Sequence, residues 1–256
     1  MGIIGGRLGV AFLNRFAPSD TLEVGVWKQP TAAEVEFPFR LRHLFGERFV
    51  DDIRGKTVTD FGCGGGRDVV EMVLLGASEG VGLEIRTELF DDARKLAEHW
   101  GVADRCRFQT ATTVAVDVVI SVDAFEHFDN PDEILHWMAG CLKPDGVAWI
   151  SFGPTWYHPR GGHLFSVFPW SHLIFTEWAQ LEWRKRFRND GATRFREVAG
   201  GLNQMSISRF KKIVRRSPFA IEAFETPPIR GIRLFDNPLT REFLSSCVRC
   251  RLRLLR

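Results

Sequence analysis

The chain has 256 residues, 45% hydrophobic and 26% charged, enough for one large α/β domain with a sizeable core and too apolar for a disordered chain. No uninterrupted apolar run reaches the roughly 18 residues that span a bilayer, and five unclustered cysteines do not make a disulfide framework, so a reducing, cytoplasmic setting is expected. The net charge of +2 hides a division: residues 1–179 carry −9 and residues 180–256 carry +11, so the basic last third meets either an anionic partner or the acidic remainder of the fold.

In chain order, Met1–Phe16 has one early arginine and no cleavage-site pattern, which does not match a signal peptide. Gly6 stands where a myristoylation motif takes Ser or Thr. The segment is expected to be amphipathic, lying against the body or touching a membrane surface. Phe37, Leu41, Leu44 and Phe45 fall at helical spacing and predict a helix over Glu34–Val50, so residues 1–50 form an N-terminal helical extension. Strands are then expected at Lys56–Phe61, Glu79–Glu84, Arg105–Gln109, Val116–Ser121 and Gly146–Ser151. Helices are expected between them at Arg67–Leu75, Thr87–Trp100 and Pro131–Cys141. This alternation predicts an α/β fold with a mostly parallel sheet covered on both faces. Phe219–Phe224 and Cys247–Leu254 are the sixth and seventh strands. In the last, Arg249, Arg251 and Arg253 alternate with apolar residues, which puts Cys247 and Cys250 on opposite faces and argues against a metal pair. The arginines are expected to face outward and discourage edge pairing.

The most informative stretch is Val58–Asp68, a β-branched run, an acid, four glycines and then a helical pattern. Gly62, Gly64, Gly65 and Gly66 do not have the spacing of the dinucleotide fingerprint, and no Gly-Lys-Ser/Thr follows as in a phosphate-binding loop. About twenty residues on, Val81-Gly82-Leu83 ends in Glu84, whose two acceptor oxygens suit a ribose diol.

Asp60-x-Gly62-x-Gly64-x-Gly66, then Glu84, then Asp117–Phe128 and Leu142–Ser151 follow one another over residues 58–151. In that order and spacing the chain resembles the class I S-adenosylmethionine-dependent methyltransferases. The resemblance implies a single domain over 1–256. Its sheet would be Rossmann-like, doubly wound and seven-stranded, with an antiparallel last strand paired in a hairpin-like way at the edge. It implies S-adenosyl-L-methionine as cofactor. Asp60, Phe61 and the backbone of Gly62, Cys63 and Gly64 would hold its amino-acid portion. Glu84 would take the ribose, Ile85 the adenine face, and Ser121 and Val122 would line the end of the fourth strand. The family often has an acid after strand three; here Phe108–Thr113 has none, and Gln109, Thr110 or backbone groups take that place. The stretch from there to Asp117 is too short for the usual helix.

Between strands five and six, residues 152–218 are far longer than an ordinary loop and are expected to form a helical lid on the acceptor side. Four of the seven histidines, His127, His158, His163 and His172, fall in the two segments facing the acceptor. A histidine is a natural base for a hydroxyl, and His163, following two glycines, is chosen first, with His127 second. No metal is expected, because these histidines lack i, i+4 spacing and paired carboxylates. Phe165, Phe168, Trp170, Phe175, Trp178 and Trp183 are expected mostly to be the lid's own core.

The function expected from the sequence is methyl transfer to a hydroxyl of a small molecule or saccharide. An RNA or protein methyltransferase and a non-catalytic protein of this fold are the alternatives. Nucleic acid is the less favoured partner, since the basic runs Arg184–Arg188 and Lys211–Arg216 come with no RNA-binding module, and Ser121-Val-Asp-Ala-Phe replaces the Asn/Asp-Pro-Pro-aromatic signature of amino-group methylation.

Overall fold

The computed structural model describes residues 2–17, 39–188, 190–198, 201–232, 234 and 236–255. Among these residues there are seven strands: β1 (Thr57–Phe61), β2 (Glu79–Leu83), β3 (Cys106–Gln109), β4 (Val116–Val122), β5 (Leu142–Phe152), β6 (Phe219–Glu225) and β7 (Val248–Leu254). They form one sheet in the order β3-β2-β1-β4-β5-β7-β6. Neighbours from β3 to β5 pair in parallel, and β7 pairs antiparallel with both β5 and β6.

The helices are α1 (Gly6–Phe16), α2 (Arg40–Phe45), α3 (Glu47–Ile53), α4 (Arg67–Leu74), α5 (Phe90–His99), α6 (Pro131–Cys141), α7 (Ser171–Ile174), α8 (Glu177–Arg184), α9 (Ile207–Val214) and α10 (Arg241–Leu244). The helix expected over Glu34–Val50 lies outside the described residues at its start and is divided at Gly46, whose φ of 81° no helix accommodates. No helix intervenes between β3 and β4.

Two apolar layers clamp the sheet. Phe49, Val50 and Ile53 of α3 and Met72 of α4 pack on Val58, Ile120 and Trp149, while Leu135 and Met138 of α6 and Phe210 and Ile213 of α9 pack on Val119, Ile150 and Leu252. On the first side the packing is closest at β2. A Cβ on Gly80 would sit 2.8 Å from Val69 Cγ1, and one on Gly82 would sit 2.6 Å from Cys63 Sγ. Glycine at these two positions lets the helix and turn after β1 settle directly on β2.

The arginines of β7 do not guard an edge. β6 is the edge strand, and β7 lies inside it. The Arg251 guanidinium is nearly buried, bonded to Asp52 of α3 through Nε at 2.7 Å and to Glu222 of β6, which Arg253 also reaches at 3.0 Å. Part of the basic tail therefore finds its anions inside the fold.

The insertion between β5 and β6 has its own cores. Trp156, Phe165, Leu181 and Phe195 make one; Val167, Phe175 and Trp183 make a second, completed by Leu13 of α1. Helix α1 docks on α8, where a Cβ on Gly9 would come within 3.1 Å of Ala179 Cβ. The N-terminal helix and the insertion are one structural unit. Phe165, Phe175 and Trp183 are core, as expected, whereas Trp178 is exposed. Arg184, from the first basic run, is also buried, held to Asp190 by two bonds of 2.7 and 2.6 Å.

One polar group inside this packing sets a pH dependence. Glu71 of α4 has no exposed surface; its Oε1 accepts the Leu41 amide at 2.6 Å and its Oε2 has no partner. Burial pushes its carboxyl up to about 7, against the Leu41 hydrogen bond, which lowers it. The native state thus holds this proton more tightly than the unfolded chain. Glu71's contribution to stability is full below the unfolded value near 4.5 and is lost as pH rises through 7, up to about 3 kcal/mol. Glu71→Gln is expected to raise Tm at pH 8 by about 5–10 °C and to change little at pH 4.5. Melting curves of both proteins across that range check it, and parallel curves would refute it.

Candidate active site

The strand order reverses between β1 and β4, and in sheets of this kind a ligand lies beyond the carboxyl ends of the strands at that reversal. Three loops converge there. The turn after β1 has positive φ at Gly62, Gly64 and Gly66 (84°, 51° and 77°). A Cβ on Gly62 would be 2.7 Å from Ala124 Cβ, in the loop after β4, so this position tolerates no side chain. From β2, Glu84 reaches across to accept the Gly64 amide through Oε2 at 3.0 Å.

The amides of Gly62 and Cys63 donate to the Leu83 carbonyl, at 2.9 and 3.1 Å. With the Gly64 amide given to Glu84, the first three amides of the turn are already taken within the protein. Asp60 Oδ1 is buried without a partner, and burial, then the neighbouring Asp68 charge, pushes the Asp60 carboxyl well above its usual range. An unpaired acid of this kind suits a cationic amine. A cation that suits a carboxylate stands at the same mouth: Arg40 of α2, bonded to Asp68 at 2.8 and 3.0 Å and to Asp123 after β4. Sequence inspection did not single out Arg40, which lies 28 residues from Asp68 and before the first strand.

Glu84 is less free than expected. Its Oε1 also accepts from the amides of Ile85 and Arg86 and from Arg86 Nε, and its Oε2 from Arg86 Nη2 at 2.9 Å. Burial would raise its pKa, but these bonds together hold it below the usual range. A ribose at Glu84 has to displace the half-exposed Arg86 side chain. Ile85 beside it is 87% exposed, an apolar platform open to a ring.

The other sequence-predicted positions divide. Phe61 and Val122 place their side chains in the core, and the fully buried Ser121 hydroxyl donates to the Phe61 carbonyl at 3.0 Å, so these three shape the strand ends and can touch a ligand only through backbone. Cys63 is buried under β2, its thiol pushed up by burial. Thr110 is exposed just past β3, and the Gln109 carbonyl is taken by the Glu84 amide at 3.2 Å.

The structure brings His127 and His163 together with ring centroids 5.2 Å apart, beside Glu126. Glu126 is buried, with Oε1 accepting the Gly153 amide at 3.2 Å and Oε2 unpartnered. Burial pushes its carboxyl up to about 8. His163 Nε2 is also buried without a partner, and burial, then His127, pulls its imidazole down to about 4. His172 is not part of this group: its nitrogens bond Ser166 Oγ at 2.9 Å and the Trp156 carbonyl at 2.6 Å, inside the insertion. His158 Nδ1 accepts the Arg160 amide at 2.9 Å and is likewise local.

A family model described as a methyltransferase domain matches residues 33–223. The chain belongs to the class I S-adenosylmethionine-dependent methyltransferase family. A ubiquinone biosynthesis O-methyltransferase of Actinobacillus pleuropneumoniae is 34% identical over 124 residues, covering 44% of this chain and 52% of that protein. A ribosomal protein L11 methyltransferase of Serratia proteamaculans is 30% identical over 95 residues, covering 37% and 32%. The chain thus spans about half the length or less of these curated relatives. In fold it resembles an S-adenosylmethionine-dependent methyltransferase of Mesorhizobium loti, with a TM-score of 0.52 at 17% identity over 80% of this chain and 94% of that one.

The cofactor that this methyltransferase family implies is S-adenosyl-L-methionine, and the residues present fit it. The orphaned Asp60 oxygen and Arg40 suit the amino and carboxylate groups of the methionine portion, the Gly62 turn admits close approach, and Ile85 offers a bare apolar face.

Proposed function

We propose that this methyltransferase acts on a hydroxyl oxygen of a small molecule or saccharide. The observation that supports it best is the convergence of His163, from the insertion, with His127 and Glu126, from the loop after β4, next to the cofactor crevice. Bound S-adenosylmethionine supplies an electrophilic methyl group. The chain has to provide alignment, exclusion of water and a destination for the hydroxyl's proton. His163 is that destination in this reading: it is neutral at pH 7, with a buried Nε2 lone pair that nothing else uses. His127, whose Nδ1 is tied to the Gly201 carbonyl at 2.7 Å, is second.

The relative named as an O-methyltransferase points the same way, and the L11 relative favours a protein acceptor. Against a macromolecular acceptor, Arg184 and Arg251 spend their charge on internal partners. Five free cysteines suit a reducing cytoplasm. Among the described residues no helix is long and apolar enough to cross a membrane; Leu8, Phe12 and Phe16 of α1 are exposed and suit at most peripheral contact.

The test is transfer of labelled methyl from S-adenosylmethionine to hydroxylated small molecules and saccharides, with RNA and protein fractions run in parallel. Label in the small-molecule fraction is expected. Label only in RNA or protein overturns the proposal, and tight cofactor binding with no transfer to any fraction favours a non-catalytic role.

A further inference from the structure

The structure assigns to Glu126, His127 and His163 a binding site for one divalent transition-metal cation of the zinc class. One donor atom from each lies within 4.8 Å of the others, and among the described residues no other such group is present. Ligands bound at about 2.0–2.2 Å around a tetrahedral ion stand about 3.4 Å apart. Closing the site needs side-chain movements of about an ångström, within the reach of a χ rotation.

What distinguishes these three from a chance cluster is how their remaining atoms are used. Glu126 gives Oε1 to the Gly153 amide and keeps Oε2 buried and free. His127 donates from Nδ1 to the Gly201 carbonyl, which leaves the lone pair on Nε2. His163 keeps its buried Nε2 without a partner. For Glu126 and His127, a backbone group orients one atom of the side chain while the other stays open, which is the outer-shell pattern of metal ligands.

The chain also holds His163 there at a cost. His163 has a φ of 50°, a left-handed conformation that is strained in a non-glycine residue. Its two preceding glycines are pressed inward, since a Cβ on Gly161 would lie 2.2 Å from the Thr155 carbonyl oxygen and one on Gly162 2.3 Å from His172 Cβ. Beside the cluster a cavity of about 10 Å³, lined by Glu126, His163, Trp156 and Gln204 among others, has room for about one water-sized particle. Trp156 Nε1 is buried there without a partner and can donate to an oxygen bound to the ion.

Two imidazoles and one carboxylate are a borderline donor set, which suits Zn²⁺ or Fe²⁺ and disfavours Mg²⁺ and Ca²⁺, which take oxygen ligands. Three protein ligands leave a position open, as in catalytic rather than structural zinc sites. An acceptor hydroxyl in that position would release its proton to bulk solvent more readily, since His163 then holds the ion rather than the proton. That role rests on the proposed function; the site itself does not.

The experiment is elemental analysis of untagged protein purified without chelator, followed by calorimetric titration of the chelated protein with Zn²⁺, each alongside S-adenosylmethionine titration of the same sample. About one equivalent of zinc-class metal is expected, with affinity at least about 100-fold weaker in His127→Ala and His163→Ala. Co²⁺ loading reads the site spectroscopically in wild type, so a variant that fails to fold does not decide the matter. No metal as purified and no uptake of Zn²⁺ or Co²⁺, or uptake undiminished in folded His163→Ala, overturns the assignment. Cofactor binding and methyl transfer by the metal-free protein would leave the proposed function standing without the cation. Metal without cofactor binding would do the reverse.

Discussion

Glu84→Ala is expected to weaken S-adenosylmethionine binding at least about 100-fold, the cost of removing charged hydrogen bonds to a ribose diol from a buried site. The same carboxylate accepts the Gly64 amide and two amides of its own loop, so the variant also loosens the glycine turn. Glu84→Gln separates the two losses, because it keeps an oxygen for the turn while giving up the charge. Arg86→Ala provides the opposite sign. Arg86 occupies the carboxylate in the free protein, yet its side chain is 55% exposed, and such a pair is worth about 0–1 kcal/mol. Removing it is expected to tighten the cofactor by no more than about fivefold. Calorimetric titration of the three variants checks the set, and full affinity in Glu84→Ala would refute the ribose role.

The sheet and the glycine turn after β1 were legible because their signals are local. A β-branched run, an acid and glycines in succession report a strand and a turn within a dozen residues, and Glu84 follows at a fixed distance. The strand ends shifted by a few residues, most at β5, which starts at Leu142 because Leu142 pairs with Val116, before an irregularity that holds Asp145 at a φ of 67°, after which pairing resumes at Val147. The arginines of β7 show the limit of periodicity. Alternation told correctly which residues share a face, but not that Asp52 and Glu222 cover it.

The histidine cluster was less legible for the same reason. Glu126 stood next to a favoured histidine and was passed over, since nothing in Phe-Glu-His reports burial of the middle residue. Arg40 and Asp68 meet only after α2 folds back over the sheet. His163 arrives from an insertion 36 residues beyond His127, so no local spacing in the sequence reports that the two rings meet.

His163→Ala is expected to lower turnover by about 10²–10⁴-fold. Cofactor affinity should stay within about threefold, because His163 lies on the acceptor side. The pH profile then separates the ways in which His163 can act. Burial holds its imidazole near 4, so from about pH 6 to 9 it is neutral and as a simple base contributes no limb. Glu126, pushed up to about 8 by burial, is mostly protonated at neutral pH. If its carboxylate has to balance the imidazolium formed at His163, turnover climbs as pH rises through 8, and Glu126→Gln abolishes the climb along with most of the rate. With a cation on the three side chains, both groups have surrendered their lone pairs to it. The limb then belongs to the cation-bound hydroxyl, it shifts when one metal replaces another, and chelation removes activity at every pH. A rate that is independent of pH, of chelator and of His163 would leave no chemical task for this cluster, and the proton would have to leave by another route.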